Sequence, residues 1–106
     1  DRYLKPDLPF KQAVAVDISG GGLRFVGDYP YEPNSLIYCQ YSLDMGEKKK
    51  DYSLMAKILV SIEVENKPGS YEHRAQYINI DTSEREEIIR FIFEEERKRR
   101  KREKGL

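Results

Sequence analysis

The chain has one cysteine, one histidine and no tryptophan in 106 residues, and its 19 basic groups cancel its 19 acidic ones. Each scarcity removes a class of explanation. A lone Cys39 cannot form a disulfide framework or a thiolate metal cluster. Within Leu36-Ile37-Tyr38-Cys39-Gln40-Tyr41 it reads as an inert thiol buried in a strand. With His73 alone there is no histidine metal site and no catalytic histidine pair, and His73 reads as a surface or half-buried strand residue. No carboxylate pair stands out, no Ser/His/Asp set can be assembled and no G-x-x-x-x-G-K loop occurs, so catalysis is not expected. No apolar run approaches the roughly 18 residues of a membrane span and no signal-peptide pattern is present, which reads as a soluble, cytoplasmic chain.

What is present is unevenly placed. Arg97, Lys98, Arg99, Arg100, Lys101, Arg102 and Lys104 are seven of the 19 cations. Setting those seven and Glu103 aside leaves 12 basic against 18 acidic groups, a formal −6 for a mildly acidic body with a basic tail. A length of 106 residues argues for one domain with a modest core.

Asp1 to Lys11 carries two prolines and no clear period, and reads as a loop; with no initiating Met, the domain reads as entered partway. Gln12 to Val16 and Leu23 to Val26 read as strands flanking a glycine turn, and the dense turn formers of Gly27 to Asn34 as a loop. In that loop Tyr29 and Tyr31 are the tyrosines best exposed for contacts. Ser35 to Leu43 alternates, with Ile37, Cys39, Tyr41 and Leu43 assigned to the core. Asp44 to Tyr52 reads as a solvated hairpin loop. Leu54 to Val64 is the longest strand, its Ala56, Ile58, Val60, Ile62 and Val64 expected inside. After the turn Asn66-Lys67-Pro68-Gly69, Tyr71 to Ile80 returns as a strand with Glu72, Arg74 and Gln76 on a polar outward face and His73, Ala75, Tyr77 and Asn79 on the other; Ile78 and Ile80 break the pattern and leave its core face open.

The period then changes. Ser83-Glu84-Arg85-Glu86 reads as a capping box, and Ile88, Ile89, Ile92 and Phe93 form one apolar stripe for packing on the sheet. Acids at 94–96 precede bases at 97–100 by the spacing that favours helical pairs, so the helix is expected to run on past Glu96. Five strands and a closing helix indicate a mainly β, small antiparallel barrel or sandwich.

The stretch with most chemical content is Asp17-Ile18-Ser19-Gly20-Gly21-Gly22. Consecutive glycines tolerate positive φ and close approach, while Asp17 and Ser19 can bond to backbone or to an arriving ligand. It also reads as an ordinary β-turn. The six residues match D/N-x-S-x-x-G and are followed by the strand Leu23-Arg24-Phe25-Val26, and in this the chain resembles the PilZ domain. Tyr71 to Ile80 is similar to the late strand of that family, and Asp81 to Arg97 to its closing helix. Ile88-Ile89-Arg90-Phe91-Ile92-Phe93 most resembles the flagellar-brake (YcgR-like) branch.

The resemblance implies a six-stranded antiparallel barrel with a C-terminal helix, and hence a first strand lying before Asp1. It implies residues 1–97 as an N-terminally incomplete domain, its helix starting near residue 83, with 98–106 as a basic tail. It also implies cyclic di-GMP as ligand. Asp17 and Ser19 would meet a guanine edge, and Gly22, with Gly20 and Gly21, would let the backbone approach. Arg24 and Arg74 stand on strands beside the turn, where either could reach a phosphate. The second binding motif of the family, R-x-x-x-R, is absent: in Arg2-Tyr3-Leu4-Lys5 the second cation comes one residue early. This stretch alone is therefore expected to bind weakly. The leading expectation is a receptor module controlling motility, with a flagellar motor component as protein partner. The alternative is a degenerate PilZ fold acting only in protein interaction. Nucleic-acid binding by the basic tail is not favoured, and oligomeric state is not legible.

Overall fold

The computed structural model describes residues 11–46 and 48–104. The expected leading loop, Lys11 apart, and any strand before it lie outside them. Five strands run in order: β1 (Val14–Ile18), β2 (Gly22–Gly27), β3 (Leu36–Asp44), β4 (Lys49–Glu63) and β5 (Tyr71–Tyr77), then helix α1 (Thr82–Lys104). They pair antiparallel as one curled sheet in the order β1-β2-β5-β4-β3, a half-barrel whose edges among the described residues are β1 and β3.

Alternation explains most of the core. Leu43 is buried and Ile37, Cys39 and Tyr41 pack against the core from β3, as their spacing requires. Ala56 and Ile58 are buried on β4, joined by Tyr52 and Leu54. The charged stretch Lys49 to Tyr52 is therefore strand, because Tyr52 anchors it inside while Lys50 reaches the helix. On β5 the open question resolves toward His73, Ala75 and Tyr77, all buried.

His73, at 0% exposed, is a core residue rather than a surface one. Its Nε2 lies 2.9 Å from the Tyr29 carbonyl oxygen, which makes that nitrogen the donor, and its Nδ1 has no partner among the described residues. Phe25 and Tyr31 pack on the ring at 4.9 and 5.2 Å. Tyr31 thus folds inward, while Tyr29 stays exposed.

The helix begins at Thr82, one residue before the expected cap Ser83. Arg85 N–H donates to the Asp81 carbonyl at 2.9 Å, so Asp81 holds the N-cap position instead of Ser83. The packed stripe also rotates: Ile88 is buried, Phe91 and Ile92 are half-buried against the core, and Ile89 and Phe93 are exposed. A clip fixes the helix to β4, with Lys50 Nζ 2.8 Å from Glu87 Oε1 and Tyr52 Oη donating to that oxygen at 3.0 Å. The basic run continues as helix through Lys104.

Candidate functional site

Sheet register creates the site. Two inner rows cross the sheet, Ala15–Phe25–His73–Ser61 and Ile18–Leu23–Ala75–Ile58. Between them β2 and β5 each place one outward residue, Arg24 and Arg74, which are direct partners. The flanking strands place two residues there. A bulge in β1 sets Val16 and Asp17 against Arg24, and a bulge in β4 sets Leu59 and Val60 against Arg74. A bulge admits one extra residue and reverses the facing of the side chains beyond it. Without it, alternation from Ala15 would turn Asp17 toward the core. The same shift overturns the expectation for β4: Val60 and Ile62 are 37% and 62% exposed on the outer face, while Ser61 takes the inner position beside His73.

The outer row therefore carries a carboxylate, two adjacent guanidiniums and exposed aliphatic side chains. Asp17, Ser19, Gly21, Gly22, Leu23, Arg24, Leu59, Glu72 and Arg74 line a single open concavity with Ala75 and Gln76. Of the residues singled out in the sequence, Gly20 alone is not part of it. Glu72 and Gln76 share the outward face of Arg74 by alternation, whereas Leu59 is an addition that alternation could not supply, since the bulge that brings it into the row leaves no compositional mark.

The three glycines serve different ends, and positive φ is not one of them; among the described glycines only Gly46 and Gly69 have it. A Cβ on Gly22 would sit 2.0 Å from the Ala75 carbonyl oxygen, so Gly22 permits β2 to lie against β5. A Cβ on Gly20 would come within 2.8 Å of Ile89 Cγ1 and 3.2 Å of Arg85 Cγ, so Gly20 seats the helix. Gly21 faces open space. Its carbonyl accepts from Tyr77 N–H at 2.9 Å, which ties the turn to the end of β5.

Ser19 is committed within the turn. Its Oγ accepts from the N–H groups of Gly21 and Gly22 and donates to the Gly22 carbonyl, each at 3.2 Å. Asp17 is exposed to solvent. Arg24 Nη1 lies 3.4 Å from Glu72 Oε2 in a pair that is about two-fifths exposed on both sides, while Arg74 has no ion-pair partner among the described residues. Like charges directly opposite on adjacent strands repel. An anion seated on the row would relieve that repulsion and would compete with only a weak, water-screened pair.

On the other side of the sheet, Phe25, Tyr31 and Cys39 line the open interior of the half-barrel. Burial pushes the Cys39 thiol up to about 11, so it stays protonated and unreactive near neutrality. No group of three or more metal-ligating side chains occurs among the described residues, and no described helix is long and apolar enough to cross a membrane.

The fold is thus a small β module whose outer face sets two directly paired arginines beside an exposed carboxylate and a glycine turn. The PilZ domain family model matches residues 3–94, and the chain belongs to that family of cyclic di-GMP-binding modules. No curated protein and no solved structure matches it.

Proposed function

We propose that this chain is a cyclic di-GMP receptor module and that the ligand seats on the outer row. The observation that carries the reading is the pairing of Arg24 with Arg74 in one concavity with Asp17. The guanidiniums would bond the phosphate oxygens, and the Asp17 carboxylate would accept from a guanine's N1–H and N2–H edge. Gly21 and Gly22 would admit the ligand to the backbone, and Leu59 offers an apolar surface for a purine face. Ser19 acts by holding the turn, and Gly20 by seating the helix, so both are positioning residues here. An upstream R-x-x-x-R segment would complete phosphate neutralisation. The helical resemblance to flagellar brakes supports control of motility through a flagellar motor protein, in the cytoplasm, with residues 1–97 as the working domain.

Cyclic di-GMP titrated into this chain, monitored by amide chemical shifts, should perturb residues 17–24 and 72–76 with weak affinity. A version extended to include an upstream R-x-x-x-R should bind more tightly. Asp17→Ala and Arg74→Ala should each weaken that binding about tenfold or more, the worth of one charge-assisted hydrogen bond. If neither form binds, or Asp17→Ala changes nothing, the receptor reading fails and a protein-interaction role replaces it.

A further inference from the structure

Helix α1 spans 23 residues, yet its packing on the sheet ends at Ile92 and every described side chain beyond that is exposed. Two apolar residues one turn apart remain open beside that packing: Ile89, which borders the Gly20 turn and is still 41% exposed, and Phe93, 66% exposed. Four charges surround them in alternating sign along the helix, Glu86, Arg90, Glu94 and Arg97. The turns after Phe93 are costly alone, because residues 97–104 hold seven cations at spacings where like charges repel. A free-standing helical stretch of this length is marginal in water.

We infer that this face pairs with the same face of a second copy, helix against helix and antiparallel. The charge order selects that occupant. With Ile89 laid against Phe93 of the other copy, Glu86 comes opposite its Arg97 and Arg90 opposite its Glu94. On the other flank, Arg85 comes opposite its Glu96. These three matches are of opposite sign and each occurs twice about the two-fold axis, against one like-charged approach, that of Arg90 to its own copy. The basic half of each helix then lies along the acidic first turns of the other, which carry Asp81, Glu84 and Glu86. A parallel pairing would instead set seven cations beside seven. Arg97 is held by its own Glu94 at 2.7 Å and can be shared across the seam. The two helices keep the sheets on opposite outer sides, since Ile88 faces the core and Phe93 faces away from it.

Two apolar residues per copy make a small contact, so the dimer is weak and salt-sensitive. Sedimentation velocity from micromolar to about millimolar chain tests it. The expected result is reversible dimer formation that weakens as salt is raised. Phe93→Ser, at an exposed position that leaves the circular dichroism unchanged, should raise the dissociation constant about tenfold or more. Glu86→Arg and Arg97→Glu should each weaken the dimer, and the two together should restore it. A chain that stays monomeric throughout overturns the inference. So does a dimer indifferent to Phe93→Ser, which would point to the open edges β1 and β3, or a charge-swapped double variant that fails to recover.

Discussion

An alanine at position 22 would set its methyl 2.0 Å from the Ala75 carbonyl oxygen, 3.0 Å from that carbonyl carbon and 3.1 Å from Gln76 Cα. All three atoms are backbone, so no side-chain rotation relieves the contact and β2 must move away from β5. Overpacking of this kind costs about 1–3 kcal/mol. A lost ladder hydrogen bond adds roughly 1 kcal/mol. Stiffening of the unfolded chain returns about 0.4–1 kcal/mol. The net loss is about 2–3 kcal/mol, which for a domain of this size lowers Tm by roughly 10–20 °C. At Gly20 the obstacle is the movable end of Ile89, so alanine there should cost about 1 kcal/mol. At Gly21 nothing lies within 4 Å, so alanine should be neutral or slightly stabilising. Urea denaturation read by circular dichroism measures all three. Finding Gly22→Ala as stable as Gly21→Ala would refute the close-approach account. Gly21→Ala should also weaken cyclic di-GMP binding while leaving stability intact, since its methyl enters the concavity.

The other predictions concern the clip and the phase of β4. Hydrogen bonds from Lys50 and Tyr52 hold the Glu87 carboxyl below its ordinary range. A carboxyl lowered on folding contributes stability that is present above its unfolded value and lost as pH falls, so stability should decline as pH falls below 4.5. Glu87→Gln should flatten that decline in acid denaturation. Burial, then the bond to Glu87, pushes the Tyr52 hydroxyl from 10.0 up to about 12. A group raised on folding gives stability that is complete below its unfolded value and lost above it, so the fold should weaken between 10.0 and about 12. Tyr52→Phe should reduce that alkaline loss without abolishing it, as read by circular dichroism, because burial also raises Cys39, Tyr31, Tyr41 and Tyr77. Ile58→Ala should cost about 2–5 kcal/mol in urea denaturation. Ile62→Thr should stay within about 0.5 kcal/mol, because the bulge turns it outward.

Alternation and period made much of the fold legible. Ile37, Cys39, Tyr41 and Leu43, then Ala56 and Ile58, declared the core by spacing alone, and the helix announced itself near Ser83. What escaped depended on neighbours distant in sequence. Nothing local distinguishes Leu59 from an ordinary strand residue, yet its bulge reverses the direction of Val60 and Ile62. His73 reads as a surface or half-buried residue because the carbonyl that satisfies its ring lies 44 residues away in sequence. Lys49 to Tyr52 looked like a loop because the partner of Lys50 lies in the helix. The site was legible as chemistry, in Asp17 and the glycines, but the alignment of Arg24 with Arg74 required the register. Of the two uses that consecutive glycines suggest, positive φ is absent here, and close approach is what Gly20 and Gly22 provide.

The seat of Ile89 on Gly20 has a mechanical consequence. A side chain between turn and helix could change rotamer and absorb a displacement of the loop. On the turn's side there is none, and only the side chains of Ile89 and Arg85 stand between the Gly20 main chain and the helix. The helix thus works as a stylus on the loop backbone, and a movement of that backbone reaches the helix through those two side chains.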